Sequence, residues 1–215
     1  MTRKVREKLY FPRHLREWEK AKAEYSTDSL KILGHPVMEA WETGYMEELA
    51  RVACSRKGRV LEVGYGMGIA SQAIQTHNVE EHIIIESNAE VYQHLLQFKK
   101  EATKPVVAIQ DFWQNIIGKF ESESFDGILF DTYPLSPSEL HANHFPFFNA
   151  AHRLLKSNGI FTYYSDEAHE FSQIHIKNLQ EAGFSKIHHK VCEVSPPVKC
   201  LYWQKNQLLV PIIIK

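Results

Sequence analysis

From residue 57 onward, continuous apolar runs alternate with stretches of helical periodicity. The runs are RVLEVGY (59–65), EHIIIES (81–87), PVVAIQ (105–110), FDGILFDT (125–132) and GIFTYYS (159–165). Apolar residues that continue without alternation are typical of parallel strands buried on both faces. Helical stretches such as NAEVYQHLLQFKKEA lie between them. The pattern therefore predicts a doubly wound α/β sheet.

Both ends of the chain depart from this alternation. The late runs KIHHKVCEV and QLLVPIIIK are joined by a connection too short for a helical crossover, so they predict an antiparallel hairpin. Pro211 disfavours strand structure at its own position. Helical patterns at 12–24 and 36–53 predict a helical lid over the carboxyl edge of the sheet. Residues 1–56 would form this lid and residues 57–215 the α/β core of a single domain.

Composition narrows the classes of function. The 215 residues carry a formal net charge of −1, which favours neither nucleic acid nor an acidic membrane as a partner. No apolar run approaches the roughly 20 residues of a membrane span. The basic N-terminal stretch lacks the apolar core of a signal peptide. The three cysteines show no metal-ligand spacing, so a reduced, cytoplasmic protein is expected.

Three glycines at alternate positions stand out in VLEVGYGMGIAS, residues 60–71. Glycine is poor in helices and strands, so such a cluster needs a structural reason. We predict that Gly64 turns the chain after the first core strand and that Gly66 lets the backbone approach a ligand. Gly68 would let the following helix pack near the strand.

Three kinds of nucleotide site are compatible with a glycine-rich turn. A phosphate-binding loop ends in Gly-Lys-Ser/Thr, and GMGIAS has no lysine. A dinucleotide fingerprint needs Gly or Ala three positions after its second glycine, where this chain has Ile69, or Ser71 if the count starts at Gly66. S-adenosylmethionine has no phosphate, and its methyltransferases use an acid-x-Gly-x-Gly pattern that Glu62 to Gly66 match. The loop therefore favours S-adenosylmethionine.

Further acids and aromatic residues extend this predicted cofactor site. Glu86 ends the second core strand, where a carboxylate can accept hydrogen bonds from both ribose hydroxyls. Asp111, Phe112 and Trp113 follow the third strand, where an acid and an aromatic ring suit an adenine. Core packing explains Trp113 equally well, so its role stays open.

Two acids outside the loop are candidates for chemistry. Asp131 in FDTYP closes the fourth strand and is predicted to point into the cofactor crevice; a helix N-cap or turn role is an equal alternative. Glu42 lies beside an apolar helical stripe, and by itself it is better explained as a solvated helix residue. The histidines of HANH (141–144) and HH (188–189) lack a metal-ligand spacing, so no metal is predicted.

Five motifs in this order closely resemble the guanidinoacetate N-methyltransferase family. They are HPVMEAWETGYM, GRVLEVGYGMGIA, IIIESN, FDGILFDTYPLS and CEVSPPVKC, and the similarity runs from about residue 25 to the C-terminus. The resemblance implies a Rossmann-like class I methyltransferase, with a seven-stranded, mostly parallel sheet and a C-terminal antiparallel strand. It also implies that a small guanidino substrate is methylated, converting guanidinoacetate to creatine. The related arginine N-methyltransferases share much of the framework, so arginine, free or in a protein, is the alternative.

The resemblance also implies roles for individual residues. Glu42 and Asp131 would be the catalytic pair that grips the guanidinium, with Asp131 as the base and no metal involved. The implied cofactor residues are Glu62, Gly64, Tyr65, Gly66, Met67, Gly68, Glu86, Ser87, Asp111, Phe112, Trp113 and Asp131. The implied substrate residues are Trp18, Met38, Glu42, Met46, Asp131, Tyr133, Asp166 and Glu167.

One segment departs from the family pattern. After the fifth core strand this chain has TYYSDEAHEF, which places Asp166 and Glu167 where the family holds the substrate carboxylate with backbone amides. Two acids would repel an anionic group unless their side chains turn outward. They would instead favour an amino group, as on arginine.

Overall fold

A seven-stranded sheet forms the centre of the protein in the computed structural model, which describes residues 11–215. The spatial order of the strands is β6-β5-β4-β7-β8-β10-β9. These strands are β4 (Gly58–Val63), β5 (Val79–Glu86), β6 (Val106–Gln110), β7 (Phe125–Phe130), β8 (Leu155–Tyr163), β9 (Lys186–Glu193) and β10 (Gln207–Ile214). The strands β4 to β8 pair in parallel, whereas β10 runs antiparallel to both β8 and β9. The predicted fold class is confirmed.

The inner core strands β4, β5, β7 and β8 are continuous in apolar residues because both faces of the sheet are covered there. Leu61 of β4 belongs to one apolar core and its neighbour Val60 to another, and both side chains are fully buried. Successive side chains of a strand point to opposite faces, so two cores require an uninterrupted apolar run. The helices that follow the core strands are α3 (Ile69–Gln75), α4 (Ala89–Glu101), α5 (Trp113–Ile116), α6 (Phe148–Leu154) and α7 (Gln173–Glu181).

The hairpin predicted at the end of the chain is present as β9 and β10, and Pro211 lies inside β10. The expectation that Pro211 is not in a strand is therefore wrong. The amide of Leu209, two residues earlier, donates to the carbonyl of Glu167 rather than to β9. Since alternate amides of a strand point the same way, the N–H that proline lacks faces away from the β9 ladder, and no bond to β9 is lost.

The N-terminal segment differs most from its prediction. It begins with the short helix α1 (Leu15–Lys20) and continues as an antiparallel sheet of β1 (Ala23–Tyr25), β2 (Ser29–Ile32) and β3 (His35–Glu39). A 3-10 turn over Ala40–Glu42 then leads into helix α2 (Thr43–Ala53). The helical lid predicted for residues 1–56 is thus corrected, within its described part, to a mixed segment with a three-stranded sheet. Residues 1–10 lie outside the described part of the chain.

The sheet forms because a tight turn reverses the chain between β2 and β3. Leu33 and Gly34, the two turn residues, have φ angles of +51° and +75°, and Ile32 pairs directly with His35. Two consecutive positive φ angles characterise the two-residue hairpin turn whose twist matches that of antiparallel strands. Strand pairing across this turn overrides the helical spacing that the sequence shows from residue 36.

Cys54, Cys192 and Cys200 are free thiols, and Cys54 and Cys200 are buried. Within residues 11–215, none of the helices combines the length and the apolar character that crossing a bilayer requires. The cytoplasmic location stays a prediction.

Candidate active site

A cavity of about 310 Å³ opens where the carboxyl ends of the parallel strands meet the N-terminal sheet. Its floor includes the ends of β4, β5 and β7, represented by Val63, Ile85 and Phe130. Leu30 and Met38 of the N-terminal sheet form part of the opposite wall. Ligands of open α/β sheets bind at this edge, outside the carboxyl ends of the strands. The cavity is therefore the candidate site.

The glycine loop lies between β4 and α3 and borders this cavity. Gly64 has a φ of +95°, and a Cβ atom there would lie 1.8 Å from the carbonyl oxygen of Asp131. Gly66, with a φ of +55°, presents bare backbone to the cavity. Gly68, the N-cap of α3, packs against the ring of Tyr65, so its close contact is within the loop rather than with the strand. The loop is thus held tightly against the start of the segment after β7.

Glu86 fixes the shape of this loop. Its carboxylate accepts hydrogen bonds from the backbone N–H groups of Tyr65 at 3.0 Å and Asn88 at 2.7 Å. Burial raises the pKa of Glu86, while these backbone donors oppose that rise. The carboxylate and the neighbouring Ser87 also line the cavity. Glu86 can therefore hold the loop and still offer an oxygen to a hydroxyl of a bound nucleoside.

Asp111, Phe112 and Trp113 complete this half of the cavity. The Asp111 carboxylate accepts the N–H of Phe112 at 2.8 Å and the amide group of Asn115 at 2.8 Å, which fixes the start of α5. Trp113 borders the cavity and also packs edge to face against Phe147, with 5.3 Å between the ring centroids. Both roles considered for Trp113 are thus compatible with its position. The bare Gly66 backbone, the Glu86 carboxylate and these aromatic rings fit a nucleoside such as that of S-adenosylmethionine.

Four residues assigned to the cofactor from the sequence are not among those that line the cavity: Glu62 of β4, and Tyr65, Met67 and Gly68 of the loop. Glu62 is fully buried, where its carboxylate accepts the Ser71 hydroxyl at 2.6 Å and pairs with His82 at 2.7 Å. The Tyr65 ring packs against Phe98. Glu62 and Tyr65 therefore support the strand and the loop from outside the cavity.

Glu42 lies at the cavity although it is almost completely buried. One carboxylate oxygen accepts the Tyr202 hydroxyl at 2.6 Å and the Tyr164 hydroxyl at 3.4 Å. The other accepts the backbone N–H of Glu39 at 3.3 Å. Burial raises the pKa of Glu42 to about 8; the Tyr202 hydroxyl opposes the rise, and the charge of Asp131 adds to it. Glu42 is thus a positioned carboxyl group whose burial favours the protonated form over the carboxylate.

Asp131 is the first residue after β7, and its backbone N–H donates to the carbonyl of Val63. Its side chain lines the same cavity as Glu42. Burial, together with the nearby carboxylates of Asp166 and Glu62, raises the pKa of Asp131 to about 7. Two carboxyl groups with raised pKa values in one cleft are typical of a functional site. A cationic ligand would relieve this repulsion.

The predicted substrate residues divide into two groups. Trp18 stacks on Tyr133 with 5.7 Å between ring centroids, and both residues line the cavity, as do Met38 and Asp166. Met46 is fully buried in an apolar core and is not among the residues that line the cavity. Glu167 turns away from the cavity, where its carboxylate pairs with His175 and accepts the backbone N–H of Ser172.

Several cavity residues were not identified from the sequence. They are Tyr164, Tyr202, His141 and His144, together with Thr132, Glu139 and Asn143. Tyr202 lies in the connection between β9 and β10, 160 positions from the carboxylate that it contacts. Among residues 11–215, the cavity lining includes no lysine or arginine, and no group of histidine, cysteine or acidic side chains is arranged to hold a metal ion.

Comparison of the sequence with protein-family models shows to which family the chain belongs. The family model described as guanidinoacetate N-methyltransferase matches residues 13–215. The chain belongs to the guanidinoacetate N-methyltransferase family. The resemblance inferred from the five motifs is thereby confirmed.

Similar fungal proteins are named protein arginine N-methyltransferase 2. The protein of Candida glabrata is 29% identical over 153 residues, which cover 67% of this chain and 36% of that protein. The protein of Aspergillus oryzae is 29% identical over 196 residues, which cover 82% of this chain and 46% of that protein. This guanidinoacetate N-methyltransferase family member thus spans less than half the length of these two relatives.

Similar solved structures share the fold at low sequence identity. Spermidine synthase from Thermotoga maritima has a TM-score of 0.63 and 17% identity, covering 100% of this chain and 84% of that chain. TYW2 of M. jannaschii in complex with AdoMet has a TM-score of 0.58 and 14% identity, covering 91% of this chain and 85% of that chain. These likenesses support the class I methyltransferase fold for this family member.

Proposed function

We propose that this protein transfers a methyl group from S-adenosylmethionine to a nitrogen of a guanidino group. The observation that carries the proposal is the position of Glu42 and Asp131. They line the same cavity as Gly66, Glu86 and Asp111 to Trp113, the part of the cavity that fits a nucleoside and is called the nucleoside half. The family membership of the chain supports the same reaction.

The chemistry of a guanidinium explains why two carboxylates are needed. Its planar array of N–H donors matches carboxylates in paired hydrogen bonds, so Glu42 and Asp131 can fix its plane. S-adenosylmethionine, when bound, supplies an electrophilic methyl carbon for a direct displacement. A guanidinium has a pKa above about 12 and therefore no free lone pair at neutral pH. Asp131 takes up the proton that the attacking nitrogen loses. Its side chain lines the cavity, and its backbone N–H bonds to Val63 at the end of β4, where the glycine loop begins.

Arginine is the substrate that we favour over guanidinoacetate. Asp166 adds a third carboxylate to the cavity, and within residues 11–215 the lining offers no lysine or arginine to an anionic group. The fungal relatives named protein arginine N-methyltransferase 2 point the same way. Guanidinoacetate is the second candidate, since the matching family model carries its name. Its carboxylate would lie near Asp166, which would weaken binding.

A panel of guanidino compounds tests the proposal. The protein is incubated with S-adenosylmethionine and either arginine, an arginine-containing peptide or guanidinoacetate, and the products are separated by mass. We expect a gain of one methyl group on arginine or the peptide, with lower kcat/KM for guanidinoacetate. Exclusive methylation of guanidinoacetate would overturn the choice of substrate. A lack of methyl transfer to every guanidine, in protein that binds S-adenosylmethionine, would overturn the reaction itself.

The activity is expected to rise with pH. The guanidinium keeps its charge throughout the range, whereas the carboxyl groups lose their protons near the raised pKa values of about 7 for Asp131 and about 8 for Glu42. Below these pKa values the carboxyl groups of Asp131 and Glu42 are protonated and neutral and no longer attract the guanidinium. The ratio kcat/KM should therefore fall as the pH drops from 9 to 6. Initial rates in a buffer series of constant ionic strength measure this profile. A flat profile would contradict the assignment of both carboxyl groups.

A further inference from the structure

Tyr202 reaches the candidate site from the far end of the chain. It lies in the connection between β9 and β10, and its hydroxyl donates to one oxygen of the Glu42 carboxylate at 2.6 Å. Cys200 and Trp203, on either side of it, are buried in an apolar core. The Tyr202 ring itself packs against Trp41, with 5.8 Å between the ring centroids. The connection is therefore anchored on both sides of Tyr202, which fixes where the hydroxyl lies.

Three hydrogen-bond donors from separate parts of the fold converge on the Glu42 carboxylate. Besides Tyr202, the Tyr164 hydroxyl after β8 lies 3.4 Å from the same oxygen. The backbone N–H of Glu39, in β3, lies 3.3 Å from the other oxygen. The bond from Tyr202 is the shortest of the three, and 2.6 Å is the length expected between a hydroxyl and an ionised carboxylate. Tyr202 is thus the donor that most restricts the orientation of Glu42.

The same hydroxyl acts on the charge of Glu42. Burial and the charges of Asp131 and Glu39 raise the pKa of Glu42 to about 8. The strongest opposing effect comes from the Tyr202 hydroxyl, which favours the ionised carboxylate. Tyr202 stays a donor, because burial and the charge of Glu42 raise its own pKa well above the usual value. Burial also keeps the phenol of Tyr164, the other hydroxyl on this carboxylate, in its protonated form by raising its pKa.

We propose that Tyr202 is a positioning residue for methyl transfer, whose hydroxyl holds the Glu42 carboxylate in place for the guanidinium. This inference rests on the proposed function, in which Glu42 binds the guanidinium, and it adds a residue that acts through Glu42. A carboxylate that is fixed before the substrate arrives loses little freedom when it binds. Without the hydroxyl, more of Glu42 is protonated at neutral pH and its carboxyl group is free to turn.

The variant Tyr202→Phe tests this role, because it removes the hydroxyl and keeps the ring. The ratio kcat/KM for the methylated guanidine should fall about tenfold at pH 7, mainly through KM, as expected for a lost hydrogen bond to a charged group. The loss relative to wild type should shrink as the pH rises to 9, where Glu42 becomes ionised in the variant as well. The titration of Asp131 is common to both proteins and cancels in this comparison. A loss of the same size at both pH values would indicate a structural disturbance and would overturn the proposal.

Two matched variants remove other hydroxyls. Tyr164→Phe removes the hydroxyl that lies 3.4 Å from the same oxygen and should cause a smaller loss than Tyr202→Phe. Tyr92→Phe removes a half-buried hydroxyl on α4 that donates to the carbonyl of Ala108 outside the cavity lining, so it should match wild type at both pH values. An equal loss in Tyr164→Phe and Tyr202→Phe would overturn the assignment to Tyr202.

A double variant shows whether the effect passes through Glu42. In a Glu42→Gln protein the amide does not titrate, so adding Tyr202→Phe should cause no further pH-dependent loss. A pH-dependent loss in that background would overturn the proposed route.

Infrared spectroscopy follows Glu42 without turnover. A protonated carboxyl group has a C=O stretching band that disappears on ionisation, and the difference between wild type and Glu42→Gln assigns the band of Glu42. In Tyr202→Phe this band should persist to higher pH than in wild type. Its disappearance at the same pH in both proteins would overturn the inference whatever the activity. If the band moves as expected but the wild type methylates no guanidine, the proposed function fails, whereas the action of Tyr202 on Glu42 stands.

Discussion

Replacing Asp131 by asparagine is expected to lower kcat for methyl transfer by about 10²–10⁴-fold, the usual contribution of a general base. Asparagine keeps the shape of the side chain but cannot take up the proton that the attacking nitrogen must lose. The variant also removes one of the charges that bind the guanidinium, so KM should rise. Formation of S-adenosylhomocysteine under saturating guanidine separates the effect on kcat from the effect on KM.

The matched control for this variant is Asp28→Asn, an exposed site between β1 and β2. It changes the net charge equally but lies outside the cavity lining, so its kinetics should equal those of the wild type. Binding of S-adenosylmethionine by calorimetry shows whether the Asp131→Asn site is still formed. Turnover within about threefold of wild type would remove Asp131 from the role of base, because the expected loss is at least about 100-fold.

Replacing Glu42 by glutamine is expected to raise KM for the guanidine roughly 10- to 100-fold, since charge-assisted hydrogen bonds contribute about 1.5–3 kcal/mol. The same change should stabilise the ligand-free protein at alkaline pH. Burial raises the pKa of Glu42 to about 8, so the folded state holds a proton that the unfolded chain releases near its ordinary pKa. That stability is present at low pH and is lost as the pH rises through about 8. Glutamine stays neutral and avoids the loss.

Thermal unfolding between pH 6 and pH 9 tests the second part of this prediction. The melting temperature of Glu42→Gln should exceed that of wild type increasingly as the pH rises, by about 2–4 °C for each kcal/mol in a domain of this size. Glu47→Gln, an exposed change on the same helix α2, should follow the wild type at every pH. A melting-temperature difference that is independent of pH would show that Glu42 carries no buried charge.

The central sheet could be predicted because strands that are buried on both faces consist of consecutive apolar residues. The inner strands β4, β5, β7 and β8 follow this rule, whereas the edge strand β6 is only partly buried. Predicted and observed bounds differ by only a few residues. The short strands of the N-terminal sheet show no such apolar pattern. Its β2–β3 turn uses Leu33 and Gly34, and leucine is rarely found at positive φ, so the usual Asn-Gly signal was absent. Met38 lies within the helical pattern predicted over 36–53, although it belongs to strand β3.

Much of the candidate site could be located because strand ends converge at one edge of a parallel sheet. That rule predicts the neighbourhood of Glu86, Asp111 and Asp131. It does not predict which way a side chain turns within a loop, so it could not show that Asp166 lines the cavity and Glu167 does not. Nor can it find Tyr202, since the contact with Glu42 depends on how the β9–β10 connection folds back over the sheet.

The bonds between Glu86 and the glycine loop have a consequence for affinity. Because the carboxylate already holds the N–H groups of Tyr65 and Asn88, the loop has its shape before any nucleoside arrives. Little conformational entropy is then lost on binding, and the contact energy of the nucleoside is retained as affinity. The same atoms therefore serve the stability of the fold and the capture of its cofactor, so substitutions at Glu86 would be constrained by both.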